Sequence, residues 1–469
     1  MASLSCWRCL ARPSQRLLLV PVSATVSVPT PIAAFSTSAR LSAVRTSTEN
    51  PRHIRSGKRL VLSKKKRRNT DKGKPPLPGE RKAFRKRIQL SNDNALEVRG
   101  HDVFSPEKAV DPGSIGKVVA IPTEPTELID QLRTCEAFKS SQNWSLFRSP
   151  HMLVRKETVD LVTQMRDAIE KKETLRLVVT GNRGSGKSIL GLQALATGFL
   201  NKWVVVNIPE GQELTTAATE YSTIPNSKMF AQPVYTVKLM QIIHQTNQAI
   251  LTEQRVQLDH IHLPISVSRN MTLAALLTAT KEPEFAWPVF QAFWKELLLP
   301  GRPPILFSLD GLAHIMRISD YRSPAFELIH SHDFTLVRMF TDALGGKTAF
   351  PNGAVVLGVT GKRNGPLIPS MEKAIAQAVA AHKGEELPAR DPFYRKYDER
   401  VFDALRGVKV LDVQGVSKAE ARAIMEYWAA SGIMRVRVDE KQVTEKWTMA
   451  GGGVLAEMER VVMHDFRAA

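Results

Sequence analysis

The sequence predicts an α/β fold with a mainly parallel sheet, and two observations support this class. A β-branched run at 175–180 leads into a glycine-rich turn, after which a helix-compatible run extends from Ile189 to Leu200. Similar strand-like runs recur along the chain, with long helix-compatible stretches between them, at 203–208, 305–310, 354–360 and 408–413. Alternation of this kind is typical of parallel strands that are covered by helices on both faces.

The turn after the first strand matches the pattern G-x-x-x-x-G-K-[ST], in the strand–loop–helix order that this pattern requires. Its residues are Gly181, Asn182, Arg183, Gly184, Ser185, Gly186, Lys187 and Ser188. The glycines allow successive backbone N–H groups to face phosphate oxygens, at the positive end of the following helix. We therefore predict a P-loop that holds the phosphates of a nucleotide; the alternative is a glycine-rich turn with an incidental lysine.

Four polar residues are candidates for direct contacts with the nucleotide and its metal. Lys187 would reach the outer phosphates, and the Ser188 hydroxyl would bind Mg²⁺. Asp310 ends an apolar strand, where a carboxylate can hold the Mg²⁺ shell, although Asp310-Gly311 also suits a tight turn. Thr360, at the end of the next strand, is either a phosphate contact or an ordinary strand-end threonine.

The order of the strands along the chain predicts a branch of the P-loop NTPase fold. The strand at 203–208 comes between the P-loop strand and the Asp310 strand, which is similar to the additional-strand branch that includes AAA+-like ATPases. The separation of Lys187 from Asp310 is long for that branch, so we infer a mostly helical insertion near 215–300. Its helix-compatible regions run from Tyr235 to Leu251 and from Thr272 to Leu298, the second with interruptions at Pro283 and Pro288.

The sequence offers no residue to which a catalytic role in hydrolysis is assigned. In the additional-strand branch a glutamate normally follows the metal-shell aspartate and orients the attacking water, whereas Gly311 stands there in this chain. Because phosphoryl transfer depends on positioned water, we expect very slow turnover at most. The base is left open between guanine and adenine, since Asn201-Lys202-Trp203-Val204 lacks the aspartate of the guanine-reading N-K-x-D pattern.

Charge is concentrated in the amino-terminal region. The chain has a formal net charge of +19, and residues 1–100 carry +17 of it, from 22 Lys+Arg and 5 Asp+Glu. Residues 1–45 contain arginine and serine but no acidic residue, which is typical of a mitochondrial presequence. A secretory signal peptide is the alternative, but prolines interrupt its apolar centre.

Residues 46–100 are predicted to be a basic disordered arm, because few apolar residues interrupt the charge. Arms of this composition often contact the phosphates of nucleic acid without choosing a sequence. The alternatives are a solvated linker or a nuclear-import signal. The candidate RNA contacts are Lys64, Lys65, Lys66, Arg67, Arg68, Arg85, Lys86 and Arg87.

Three further segments complete the predicted organisation. They are an extended segment at 101–150, the P-loop domain at 151–415 and a C-terminal helical lid at 416–469, in which Ser417 and Glu420 form a capping box. No run reaches the roughly 18 apolar residues that a membrane-spanning helix needs. Cys135 is the one cysteine outside the presequence, so no intrachain disulfide is expected in the imported chain, in agreement with a reducing compartment.

These residues together resemble the death-associated protein 3 family over most of 140–465. The resemblance rests on 153–156, the P-loop, 206–209, 232–235 and Asp310-Gly311, and above all on the stretch from Tyr321 to Asp333 with Leu336 and Arg338. It implies a structural protein of the mitochondrial small ribosomal subunit, in the matrix, with a bound purine nucleotide generally described as GTP or GDP. The implied partners are rRNA and ribosomal proteins, and no obligate homo-oligomer is expected. The alternative is an active AAA+-like NTPase that remodels a mitochondrial partner, with ATP as a possible ligand.

Overall fold

The computed structural model describes residues 88–122, 127–225, 227–361 and 365–468, with side chains described as far as Met463. The predicted presequence at 1–45 lies outside the described residues. So do all the candidate RNA contacts, from Lys64 to Arg68 and from Arg85 to Arg87. Within the described part of the chain, no helix has both the length and the apolar character needed to cross a bilayer.

The segment expected to be extended forms short elements that pack on the body. In chain order they are α1 (Pro106–Val110), β1 (Val118–Ala120), α2 (Glu127–Thr134) and β2 (His151–Leu153). β1 pairs antiparallel with β2. Packing begins before residue 101, since Leu90 is buried in the same apolar cluster as Phe104. Residues 88–100, which were predicted to belong to the arm, therefore contribute apolar side chains to the body, with Leu90 buried and Ile88 and Val98 partly buried.

The body begins with the elements that frame the P-loop. They are α3 (Lys156–Glu170), β3 (Thr174–Gly181), α4 (Lys187–Leu200) and β4 (Val204–Ile208), followed by a small hairpin of β5 (Ser222–Thr223) and β6 (Phe230–Ala231). The predicted strand at 175–180 and the predicted helix at 189–200 correspond to β3 and α4. The helix starts two residues earlier than its apolar pattern, because Lys187 and Ser188 form its first turn.

Four helices follow in the region of the expected insertion, α5 (Pro233–Thr246), α6 (Gln248–Glu253), α7 (Leu273–Thr278) and α8 (Pro283–Leu297). The predicted helix at 235–251 is divided at Asn247, whose side chain bonds the backbone N–H and C=O of Val205 at 2.7 and 2.9 Å. Asn247 thus takes the place of a further strand on the open edge of β4.

Two prolines behave differently in the insertion. Pro283 is the first residue of α8, where the missing N–H costs nothing and the fixed φ suits a helix. The prediction of a break at Pro288 was wrong, since α8 continues through it. The residues that follow it, Val289, Phe290 and Phe293, are fully buried, and we attribute the persistence of the helix to their packing.

The remaining elements complete the sheet and add the C-terminal helices. They are β7 (Ile305–Asp310), α9 (Leu312–Ile315), β8 (Ile318–Arg322), β9 (Leu328–His330), α10 (Thr335–Leu344), β10 (Ala354–Val359), α11 (Pro369–Lys383), α12 (Glu399–Ala404), β11 (Lys409–Val413), α13 (Lys418–Ala430), α14 (Glu440–Met449) and α15 (Leu455–Ala468). The capping box predicted at the start of α13 is confirmed, with Ser417 and Glu420 bonded reciprocally.

The central sheet has five parallel strands in the order β11-β3-β10-β7-β4. The predicted α/β class with a parallel sheet is therefore confirmed. Successive residues of β10 face opposite layers, with Val356 in one apolar cluster and Val355 and Leu357 in the other. All strand carboxyl ends lie along one edge, which is where ligands bind in sheets of this kind.

Candidate functional site

The loop at 181–188, which was predicted to be a P-loop and keeps that name below, connects the end of β3 to the start of α4 at that edge. Gly181 has φ +141°, and a Cβ atom on it would lie 2.4 Å from the carbonyl oxygen of Val413 in β11. Gly184 has φ +79°, and its Cβ position lies 2.8 Å from the Cβ of Ala456 in α15. Neither position has room for a side chain, so the motif glycines are required by close approach as well as by backbone conformation.

Lys187 lies inside the curve of the loop. Its ammonium group donates to the carbonyl oxygens of Gly181 and Asn182 at 3.0 and 2.6 Å, and the residue is buried. The positive charge is therefore held among the loop atoms, where it is poorly screened by water. Such a group attracts phosphate oxygens, and the side chain is long enough to exchange a carbonyl for a phosphate.

Ser188 and Asp310 come together although they lie on different elements. The Ser188 hydroxyl donates to Oδ2 of Asp310 at 3.1 Å. A hydroxyl and a carboxylate are hard oxygen ligands of the type that Mg²⁺ prefers. Lys139 lies on the other side of the carboxylate, with its ammonium 3.5 Å from the same Oδ2 and a hydrogen bond to the carbonyl of Pro209.

Arg155 connects the P-loop to Gln414, the residue that follows β11. Its guanidinium donates to the carbonyl oxygens of Ser185 and Gln414, both at 2.7 Å, and pairs with Glu157 at 3.1 Å. The side chain is 7% exposed, so these bonds are little weakened by water. This role could not be predicted from local sequence, because Arg155 lies 30 residues before its P-loop partner.

The side chains of the other candidate residues make no polar contact with Lys187, Ser188 or Asp310 among the described contacts. The Thr360 hydroxyl donates to the carbonyl of Val179 at 3.0 Å, which is the ordinary role of a strand-end threonine, although the residue also borders the cavity described below. Asn182 and Arg183 are exposed at the tip of the loop. Gly311 follows Asp310 as the N-cap of α9, with φ +84°, so this position offers no side chain to orient a water.

A cavity of about 550 Å³ opens between the P-loop, the segment 140–147 and the helices α13 and α15. It is of the size of small-molecule sites. Lys187 and Ser188 border one part of it, and aromatic side chains border another, among them Phe147, Tyr427 and Trp428. The Ser185 hydroxyl is buried near the loop without a hydrogen-bond partner among the described residues. The donors, the cation and the space fit a nucleotide with Mg²⁺.

Comparison with known proteins shows the family of the chain, independently of this geometry. The family described as mitochondrial ribosomal death-associated protein 3 matches residues 152–461. The small ribosomal subunit protein mS29 of Neurospora crassa is 48% identical over 473 residues, which covers 100% of both chains. The protein of the same name from Schizosaccharomyces pombe is 23% identical over 355 residues, or 74% of this chain and 71% of that one. The chain therefore belongs to the mitochondrial ribosomal death-associated protein 3 family.

Proposed function

We propose that this protein is a structural component of the small subunit of the mitochondrial ribosome, in the matrix. The observation that carries the proposal is the 48% identity over both full lengths with the small ribosomal subunit protein mS29 of Neurospora crassa. The partners would be the small-subunit rRNA and neighbouring ribosomal proteins. The part of the predicted arm before residue 88, with its high density of Lys and Arg, would contact rRNA phosphates, and that contact would weaken as salt rises.

The proposal includes a purine nucleotide and Mg²⁺ at the P-loop. The backbone N–H groups from Gly181 to Gly186 and the Lys187 ammonium would hold the phosphates. The Ser188 hydroxyl and the Asp310 carboxylate, 3.1 Å apart, would hold Mg²⁺ directly or through water. The bound metal would supply charge neutralisation for the phosphates. GTP or GDP follows from the resemblance, and ATP is the alternative.

The fold assignment that belongs to this proposal is the AAA+-like, additional-strand branch of P-loop NTPases. It is supported by the sheet order, in which β10 separates β3 from β7. It is also supported by the C-terminal helices, since α15 meets the P-loop at Gly184 through a hydrogen bond from the Ala456 N–H at 3.1 Å. These helices occupy the place of the predicted lid at 416–469.

The nucleotide would stabilise the fold rather than drive a cycle. Gly311 leaves no water-orienting carboxylate after Asp310, and Lys139 already balances part of the Asp310 charge. A ligand that binds only the folded state adds about 2.7 kcal/mol of stability at 100 times its Kd. The P-loop joins β3, β11, α4 and α15, so this stabilisation acts where four elements meet.

The test is sedimentation of the tagged full chain through a salt-controlled gradient of mitochondrial lysate. We expect comigration with the small ribosomal subunit, and a Lys187→Ala variant should incorporate less and melt at lower temperature. Lys281→Ala is the control, since Lys281 is exposed and far from the P-loop in sequence. A free, hexamer-sized peak, or many turnovers per minute that Lys187→Ala abolishes, would favour an active NTPase and overturn the proposal. If Lys187→Ala left incorporation and melting temperature unchanged, the proposed structural role of the nucleotide would be contradicted.

A further inference from the structure

One side-chain pair joins two distant segments of the chain across the cavity. The amide Nδ2 of Asn143 donates to Oε1 of Glu459 at 3.1 Å, and the two residues are 316 positions apart. Asn143 belongs to the segment 140–147 and has φ +47°, a left-handed conformation. Glu459 belongs to α15. Both residues border the cavity that also receives Lys187 and Ser188.

Helix α15 connects the phosphate end of the cavity to this pair. Its Ala456 N–H donates to the carbonyl of Gly184 in the P-loop at 3.1 Å. Glu459 lies three residues later, and residues at this spacing share one face of a helix. The carboxylate therefore projects on the side of α15 that meets the P-loop, about one turn further along.

The Glu459 carboxylate is partly buried, and among the described residues the Asn143 amide is the group that donates a hydrogen bond to it. Burial raises its pKa, and the Asn143 amide is the group that opposes this effect. An ionised carboxylate accepts hydrogen bonds at both oxygens, and the Asn143 amide takes up Oε1. A ligand that offers N–H donors would complete the pairing of this carboxylate, which an apolar ligand would leave unsatisfied.

Aromatic side chains on the same cavity complete a site for a planar ring. Phe147 stacks on Tyr427 with centroids 5.3 Å apart and an angle of 25° between the planes, and Trp428 borders the same space. Flipped bases are commonly bound in this way, by stacking on aromatic groups and by hydrogen bonds to the base edge. A flat heteroaromatic ring with polar edges fits this wall better than an aliphatic group does.

The two purines present different edges to a carboxylate. Guanine has two adjacent donors, N1–H and the N2 amino group, beside the acceptor O6. Adenine has an acceptor at N1 beside its single amino group, so a carboxylate that faces this edge meets a lone pair. We propose that Glu459 and Asn143 read the edge of the base, with the carboxylate accepting from N1–H and N2–H of guanine and the amide donating to O6. The inference rests on the proposed nucleotide site and specifies its base.

The experiment measures the affinity of the purified full chain for the diphosphates of guanosine, adenosine and xanthosine. The wild type should prefer guanosine diphosphate over adenosine diphosphate by about 100-fold, since a site built to hydrogen-bond strongly rejects a ligand without the partner. Xanthosine carries an acceptor, O2, in place of the amino group. Glu459→Gln supplies a donor for that acceptor, so it should weaken guanosine diphosphate and strengthen xanthosine diphosphate, each by about tenfold or more.

The gain of xanthosine binding separates a base-reading role from a loss of folding, because an unfolded variant gains nothing. Glu457→Gln is the matched control on the same helix, since both oxygens of Glu457 are held by Arg460 at 3.0 Å, and its base preference should stay that of the wild type. Equal binding of the guanosine and adenosine diphosphates, with no change in Glu459→Gln, would overturn the inference and leave the nucleotide site standing. If the wild type bound none of the three, the nucleotide part of the proposed function would fail, and this inference with it.

Discussion

The ammonium group of Lys139 lies 3.5 Å from Oδ2 of Asp310, the same oxygen that accepts a hydrogen bond from the Ser188 hydroxyl. Both partners of the ion pair are about four-fifths shielded from water, so the attraction is stronger than that of a surface pair. The carboxylate expected to serve the metal therefore already has a cation beside it. This arrangement predicts a nucleotide site that depends only weakly on Mg²⁺.

We expect Lys139→Met to make nucleotide binding more dependent on Mg²⁺. Without the ammonium, the Asp310 charge is balanced only by the metal, so the ratio of Kd without Mg²⁺ to Kd with Mg²⁺ should rise roughly tenfold. Titration of a fluorescent guanosine diphosphate with and without a chelator measures this ratio. Lys281→Met, at an exposed position, should keep the wild-type ratio. An equal ratio in Lys139→Met would show that the ion pair does not influence the metal.

Gly184→Ala should loosen helix α15 from the P-loop. A methyl group there would meet the Cβ of Ala456 at 2.8 Å, and neither atom is the end of a flexible side chain. Gly301→Ala is a matched control, because Gly301 has nearly the same φ, +83° against +79°, with no atom within 4 Å of its Cβ position. Both variants bear a backbone cost of about 1–2 kcal/mol, and Gly184→Ala should lose about 1–3 kcal/mol more from overpacking.

Hydrogen exchange of the α15 amides, with urea unfolding of both variants, measures the two effects separately. Faster exchange in α15 is expected in Gly184→Ala alone. Equal unfolding free energies and equal exchange in the two variants would mean that α15 adapts to the methyl group without loss.

Arg155→Met should destabilise the whole domain. It removes the ion-pair partner of the Glu157 carboxylate, which is 14% exposed and keeps a hydrogen bond from the Gln414 N–H. It also leaves the carbonyls of Ser185 and Gln414 without this donor. Loss of one partner of a buried ion pair costs about 3–5 kcal/mol. The control Arg133→Met removes an exposed pair with Asp130, which should cost less than about 1 kcal/mol. Urea denaturation of the two variants checks the difference, and similar midpoints would contradict the bridging role.

The stability of the fold should decrease in acid because of His332. Burial lowers the pKa of this imidazole from 6.5 to about 3, with a further contribution from the charge of His330. The unfolded chain therefore binds a proton between these two values while the folded chain does not. The stabilisation is complete above pH 6.5 and is lost as pH falls towards 3, at up to about 1.4 kcal/mol per pH unit.

The glutamine in His332→Gln does not bind a proton in this pH window. The slope of the unfolding free energy against pH should therefore be smaller than in the wild type, by on the order of 1 kcal/mol per pH unit. Some dependence should persist, because burial also lowers the pKa of His330. Urea unfolding at several values from pH 4 to 7 checks the slope. His262→Gln, at an exposed position, should retain the wild-type slope, and an unchanged slope in His332→Gln would contradict the assignment.

The central residues of the candidate site could be named from the sequence because their information is local, and their binding role stays a prediction. Eight consecutive residues specify the P-loop, and an apolar run that ends in a carboxylate specifies Asp310. The structure then brings Ser188 and Asp310 within 3.1 Å. The strands of the sheet could be predicted for the same reason, since each strand is a short β-branched run between helical stretches.

The supporting residues could not be predicted, because their roles arise from contacts between distant parts of the chain. Arg155, Lys139 and Glu459 each resemble an ordinary surface charge in the sequence. Arg155 meets Ser185 and Gln414, Lys139 meets Asp310, and Glu459 meets Asn143. These contacts form only when the chain has folded, because the partners are far apart in the sequence. The break at Asn247 had no local signal either, since its cause is the open edge of β4.

The contact of Gly181 with Val413 has a consequence for the order of assembly. The P-loop is synthesised well before β11, yet β11 and α15 form two of its walls. A nascent or truncated chain that ends before residue 409 contains the complete signature motif but lacks the two walls that β11 and α15 form. We therefore expect such a shortened chain to bind a nucleotide more weakly than the full chain, although its loop sequence is the same.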